Sequence, residues 1–165
     1  MLAFQIREVK AFMAKLFQKN DFDRFPVKEG SVQTSAGYQI NGHRNKAFYA
    51  EEEYEALVEK EFLTWEEMKP VVFQMIRGAK SPQLLQLVLQ LTRSEIRELL
   101  QISGAGIQEE QITGAYINLR YQSGSLQLVT GVGYETFVPD KAFEREFDWY
   151  VREILKEKEI PFDEI

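Results

Sequence analysis

Leu85-Gln86-Leu87-Val88-Leu89-Gln90-Leu91 decides the fold. Leucine occupies every second position, with Gln86, Val88 and Gln90 between. Side chains two apart share one face of a strand, so this strand has one face made entirely of leucine. Thr92 and Glu95 follow with the spacing of a capping box, then Ile96, Leu99 and Leu100 on a short helix. Gly104 is placed to stop that helix.

Toward the C-terminus, residues 112–138 read as an antiparallel meander. Ala115, Ile117, Leu119 and Tyr121 point one way, Ser123-Gly124 turns the chain, and Leu126 and Leu128 return. Gly131 and Gly133 suggest a bulge or bend before Tyr134–Val138. Asp140 is expected to cap a final helix whose buried stripe is Phe143, Phe147, Tyr150, Val151 and Ile154. The tail from Ile160 to Ile165 is expected to be loose.

Toward the N-terminus, Arg77-Gly78-Ala79-Lys80-Ser81-Pro82 is a turn. Before it, Thr64 and Glu67 form a second capping box for a helix carrying Val72, Met75 and Ile76, with Pro70 set to kink or delay it. Residues 51–62 are acidic but periodic, with Tyr54, Leu57, Val58 and Phe62 on one side of a helix. Val27–Thr34 and Tyr38–Asn41, separated by Ser35-Ala36-Gly37, make a hairpin. Ile6, Val9, Met13 and Leu16, with Phe12 and Phe17, define an amphipathic helix over residues 6–19.

Strands and helices do not alternate regularly. The expected class is therefore α+β, a mostly antiparallel sheet (hairpin plus C-terminal meander) packed by N-terminal, central and C-terminal amphipathic helices. The 165 residues fit a single domain, 1–165, able to bury roughly 70% of its unfolded surface without a staple.

The chain has no cysteine, which removes disulfides, thiolate metal sites and thiol catalysis, and fits a reducing compartment. Early charges exclude a signal peptide, and no stretch approaches a membrane span, so the expected location is the cytoplasm, with no membrane partner. A net charge of −6 argues against nucleic acid as a partner. Residues 1–50 nonetheless carry eight Lys/Arg against four Asp/Glu, while the remainder carries twelve against twenty-two.

No motif meets the spacing its chemistry needs. His43, the only histidine, sits in Gly42-His43-Arg44-Asn45-Lys46 with no nucleophile elbow anywhere in the chain. Gly78-Ala79-Lys80-Ser81 has alanine before the lysine and no upstream glycine, so it is no phosphate loop. Gly104-Ala105-Gly106 and Gly131-Val132-Gly133 open no helix that could receive a pyrophosphate. Glu51, Glu55 and Glu59 are spaced for one helix face, read as a solvated face rather than a cation site. Catalytic residues, cofactor and metal are accordingly not expected. Trp149 lies about 240° round the last helix from Phe143, among Arg145, Asp148 and Arg152. It packs under a neighbouring element, the favoured reading, or marks a contact surface; Trp65 raises the same question.

Phe4–Met13, Ile40–Tyr49, Trp65–Pro82 and the Thr130-Gly131 pair before Phe137 together resemble a family of Gram-positive bacterial proteins known only as a domain of unknown function. The resemblance runs over nearly the whole chain. It implies one domain and carries over no activity, cofactor or catalytic residue.

Two functional expectations result. The first is a non-catalytic interaction module that meets a protein partner or a second copy through Trp149, Arg145 and Arg152. The second is a binding protein or enzyme for a small anion or phosphorylated metabolite, held by His43, Arg44 and Lys46 and by Arg77 and Lys80.

Overall fold

Leu85, Leu87 and Leu89 are all buried, as the alternation requires. In the computed structural model, which describes all 165 residues, the chain runs β1 (Ala3–Ile6), α1 (Val9–Phe17), β2 (Val27–Gln33), β3 (Gly37–Asn41), α2 (Glu51–Glu55), α3 (Trp65–Ile76), β4 (Leu84–Gln90), α4 (Arg93–Ser103), β5 (Ile112–Gln122), β6 (Ser125–Tyr134), α5 (Ala142–Glu157) and β7 (Phe162–Glu164). The architecture is α+β. All seven strands join one antiparallel sheet in the order β3-β2-β4-β5-β6-β1-β7. No helix is long and apolar enough to cross a membrane.

The two faces of this sheet differ completely. One carries Phe4, Ile6, Val32, Leu85, Leu87, Leu89, Ile117, Leu119, Leu126 and Leu128. These join Phe12 and Leu16 of α1, Trp65 and Val72 of α3, Ile96 and Leu99 of α4, and Phe143, Phe147 and Val151 of α5 in a cluster of 29 buried residues. Trp65 is fully buried; its indole Nε1 donates to the Leu16 carbonyl at 2.8 Å, and its ring meets Phe17 edge-on. The other face carries no helix-packed core. Across it the registers align Gln39, Ser31, Gln86, Arg120, Gln127, Gln5 and Asp163 in one polar row spanning all seven strands. Arg120 donates to Gln86 Oε1 and Gln127 Nε2 to Gln5 Oε1, each at 3.2 Å. An antiparallel sheet tolerates one wet face in this way.

The hairpins and caps follow their sequence signals. Ser123 and Gly124 both have positive φ, 53° and 78°, which suits a tight two-residue turn between β5 and β6. Gly104 ends α4 at φ 68°. Glu67 reaches back to the Thr64 backbone N–H, and α3 begins at Trp65 and runs through Pro70 undelayed. Asp140 accepts from the Ala142 N–H at the start of α5 and from the Gly106 N–H, tying α5 to the loop after α4.

Four expectations need correction. Residues 3–6 are a strand, and the first helix covers only Val9–Phe17. Ile6 satisfies both periodicities, and pairing with β6 and β7 on either side decides for the strand. The acidic helix stops at Glu55, because the Lys60 ammonium folds back onto the carbonyls of Tyr54, Glu55 and Leu57. Val58 is fully exposed, and Glu59 lies outside the helix that carries Glu51 and Glu55. Third, β6 runs unbroken past Gly131 and Gly133 to Tyr134. The register shift lies opposite, between Ile112 and Gly114, and a Cβ at Gly133 would stand 2.4 Å from the Thr113 hydroxyl oxygen. Finally, the tail is not loose. Ile160 is buried, Phe162 meets Phe4 edge-on, and β7 closes the sheet edge against β1.

Candidate functional site

The polar face of the sheet is exposed over most of its width but not at the end of β4. There Gln90, only 6% exposed, stands opposite Tyr116 of β5. The Gln90 amide Nε2 is sealed from solvent and makes no hydrogen bond. Tyr116 is folded over Gly114, where a Cβ would lie 2.3 Å from the Tyr116 hydroxyl oxygen; only glycine allows that ring position. The Lys28 ammonium rests over the Tyr116 ring, 4.3 Å from its centroid. Gln90, Gly114 and Tyr116 help form a groove of about 470 Å³, within the range of roughly 300–1,000 Å³ usual for small-ligand sites.

One wall of the groove is a strap, Glu59 to Phe62, between α2 and α3. Backbone pairing holds the strap. Arg44 N–H donates to Glu61 O and Leu63 N–H to Gly42 O, both at 2.8 Å, and Val27 N–H to Leu63 O, also at 2.8 Å. The chain crosses so closely here that a Cβ at Gly42 would overlap the Val27 carbonyl. Arg44 locks the arrangement from beneath. Its guanidinium, 4% exposed, makes two 2.8 Å bonds to the Glu67 carboxylate and also donates to Phe62 O and Tyr49 OH. The same Arg44 contact holds the Glu67 carboxyl below the usual glutamate range.

A second wall comes from Thr92 and Arg93 at the start of α4, and from Glu110, Thr113 and Glu135. Arg93 donates to Ile112 O and Glu109 O and pairs with the Glu109 carboxylate, fixing this wall. Glu59, Glu61, Glu110 and Glu135 all line the groove and none forms an ion pair. No three acidic or imidazole groups anywhere in the chain converge closely enough to grip a metal ion. The groove therefore offers dispersed negative charge, a phenol and threonine hydroxyls.

The residues singled out from sequence are not gathered in one place. Arg77 and Lys80 line a separate concavity of about 550 Å³ with Thr34, Ser35 and Ser81, and neither cation forms an ion pair. Arg44 is committed to Glu67. His43 is exposed and stacks edge-on against Phe62, while the Lys46 ammonium lies over the Tyr54 ring. Trp149 is 52% exposed rather than tucked under a neighbour, whereas Trp65 is the buried one. Arg145 is exposed beside it, and Arg152 pairs with Glu164, binding α5 to β7.

Sequence reasoning missed the places of Gln90, Tyr116, Glu61, Glu110 and Glu135 in the groove, and read Glu59 as part of a solvated helix face. The alternation that exposed the leucine face also assigned Gln90 to its opposite, and nothing local says that this end is covered.

The family comparison covers residues 15–163, nearly the whole chain, and its match is described as a family of unknown function, DUF5721. The chain belongs to this family. No curated protein and no solved structure matches the chain. Membership in DUF5721 therefore brings no assigned activity, and the groove stands on its own geometry.

Proposed function

We propose that the chain is a single-domain, cytoplasmic binding module whose ligand seat is the groove floored by Gln90 and Tyr116. The observation that carries this reading is the groove of about 470 Å³ itself, with its strap wall fastened by Arg44 and by backbone pairing. The neighbouring glycines and the fastened strap support it further. They hold the Tyr116 ring and the Glu59–Phe62 wall in place before any ligand arrives, which lowers the ordering cost of binding.

The test is a thermal-shift screen of small polar metabolites and short peptides against the wild type and Gln90→Leu. A ligand of the native state raises the melting temperature. The expected result is at least one compound that stabilises the wild type and leaves Gln90→Leu unmoved. Compounds that shift both proteins equally would place binding elsewhere.

A second reading rests on the Arg77–Lys80 concavity, where two unpaired cations share the lining with Thr34, Ser35 and Ser81. That arrangement suits a small anion, and stabilisation by inorganic phosphate that is lost in Arg77→Ala would favour it. Trp149, with Arg145 beside it, is the surface where a protein partner or a second copy would dock. Unchanged sedimentation and an unchanged partner list for Trp149→Ala would remove that assignment.

A further inference from the structure

We infer that β3 is a docking edge for a second copy of this chain, joined antiparallel about a twofold axis at Gln39 so that the two sheets continue as one. None of its residues lines the groove, so this edge stands or falls separately from the proposed ligand seat. Gly30 pairs with Ile40 and Val32 with Tyr38 between β2 and β3. The same register continues past the strand ends, where Thr34 N–H donates to Ala36 O and Gly42 N–H to Lys28 O. Hydrogen-bonded positions alternate along an antiparallel strand. Tyr38 and Ile40 therefore spend their backbone groups on β2, while Gly37, Gln39 and Asn41 turn theirs outward. No other segment meets those three: β3 is the last strand of the sheet, and no turn, loop or cap hydrogen bond ends on their backbone.

The two edges of the sheet are treated differently. β7 has three residues, and two of them, Asp163 and Glu164, carry carboxylates paired with Arg7 and Arg152. Short length and charge are the usual defences of a sheet edge against pairing with another chain. The five residues of β3, Gly37-Tyr38-Gln39-Ile40-Asn41, hold no charge and no proline, and they pair with β2 without a bulge.

The strand is also matched to itself. With the axis at Gln39, the Gln39 pair and the two Gly37–Asn41 pairs each exchange both backbone hydrogen bonds. The two Gln39 amides meet on the wet face, each able to donate and to accept. Tyr38 falls opposite Ile40 of the second copy in the closer, non-hydrogen-bonded kind of pair, an aromatic ring against a β-branched chain. Tyr38 lies beside the buried Val32 yet is 38% exposed, so it has surface left for that contact. The nearest charge, Glu29 beside Asn41, adjoins Gly37 of the second copy and no like charge. A five-residue strand spans about 17 Å and covers well under the roughly 800 Å² per partner of a stable complex, so the dimer is weak and forms as concentration rises.

The experiment is sedimentation of the full chain over a concentration series, with backbone amide exchange followed on the same samples. The expected result is a monomer–dimer equilibrium in which the Gly37, Gln39 and Asn41 amides slow with concentration while Tyr38 and Ile40, already bonded to β2, do not change. Gln39→Lys and Gln39→Glu each set two like charges opposite one another at the axis, and each should weaken association by about fivefold or more. An equimolar mixture of the two variants should restore it, because only an axis at this residue brings Lys against Glu. Variants that associate as the wild type does, or that weaken without recovery on mixing, would overturn the twofold at Gln39. So would association that survives both variants and is lost in Trp149→Ala. If the chain stays monomeric while an alternating threonine–valine peptide slows the same three amides, the edge takes a foreign strand and the second-copy assignment falls. A monomer whose edge amides exchange freely at every concentration, with or without the peptide, would overturn the docking edge itself.

Discussion

The two faces of the sheet are made from the same strands and obey opposite rules. On one, Leu85, Leu87 and Leu89 sit among helices in a continuous apolar core. On the other, Gln39, Ser31, Gln86, Arg120, Gln127, Gln5 and Asp163 cross all seven strands as a polar row. The first face supplies stability through burial. The second is free of that duty, so where it becomes covered, at Gln90, the covering calls for another explanation. The difference teaches that Gln90 and Gln86, two residues apart on one strand, play different parts. Gln86 accepts from Arg120 at the surface, while Gln90 is buried without a partner for its amide nitrogen.

The largest test of the contrast strikes the covered face. Trp65→Ala removes a fully buried indole together with its bond to Leu16, and chemical denaturation should show a loss of about 3–5 kcal/mol. Leu87→Ala should lose about 2–5 kcal/mol by the same measurement. Losses below 1 kcal/mol at both positions would mean that the helices do not close on the leucine face as described.

The next effect concerns the strap that covers the other face. Glu67→Gln leaves the Arg44 guanidinium buried with a weaker partner and should cost about 1–3 kcal/mol. Because Arg44 holds the Glu67 carboxyl below its ordinary pKa, this stabilisation is present above that ordinary value. It is lost as pH falls through the ordinary value toward the lowered one of the folded state. Stability measured against pH should therefore show a shallower acid limb in Glu67→Gln; an identical limb would contradict the pairing.

Tyr134 gives a smaller effect of opposite sign. Its buried hydroxyl has no partner, and burial, reinforced by Glu144 and Asp140, pushes the phenol up to about 12. A raised pKa means that the stabilising protonated form is intact below the ordinary phenol value of 10.0 and is lost as pH climbs toward 12. Tyr134→Phe should fold with equal or slightly greater stability at neutral pH, and its alkaline denaturation should move upward. Smallest of all, Gln86→Ala on the open row should change stability by no more than about 0.5 kcal/mol.

Much of the fold was legible in the sequence because its signals are local. The leucine alternation of β4, the helix caps at Thr64 and Thr92, the Ser123-Gly124 turn and the Phe143–Phe147–Val151 stripe each act within a few residues. What was misread depends on distant partners. Residues 3–6 become a strand because β6 and β7 flank them. The tail orders because β1 offers an edge. Phe62 leaves its expected helix because the strap pairs with His43. The candidate groove shares that second origin. Its floor, strap and second wall lie far apart in the sequence, so no motif announced it. Arg44, a ligand candidate from the sequence, pairs with Glu67 and fastens the strap.

The most direct test of the central claim is a crystal structure of the chain grown with a compound that raises its melting temperature. The account predicts that compound in the groove, against Tyr116 and the Glu59–Phe62 strap. A structure in which it lies elsewhere would contradict the claim.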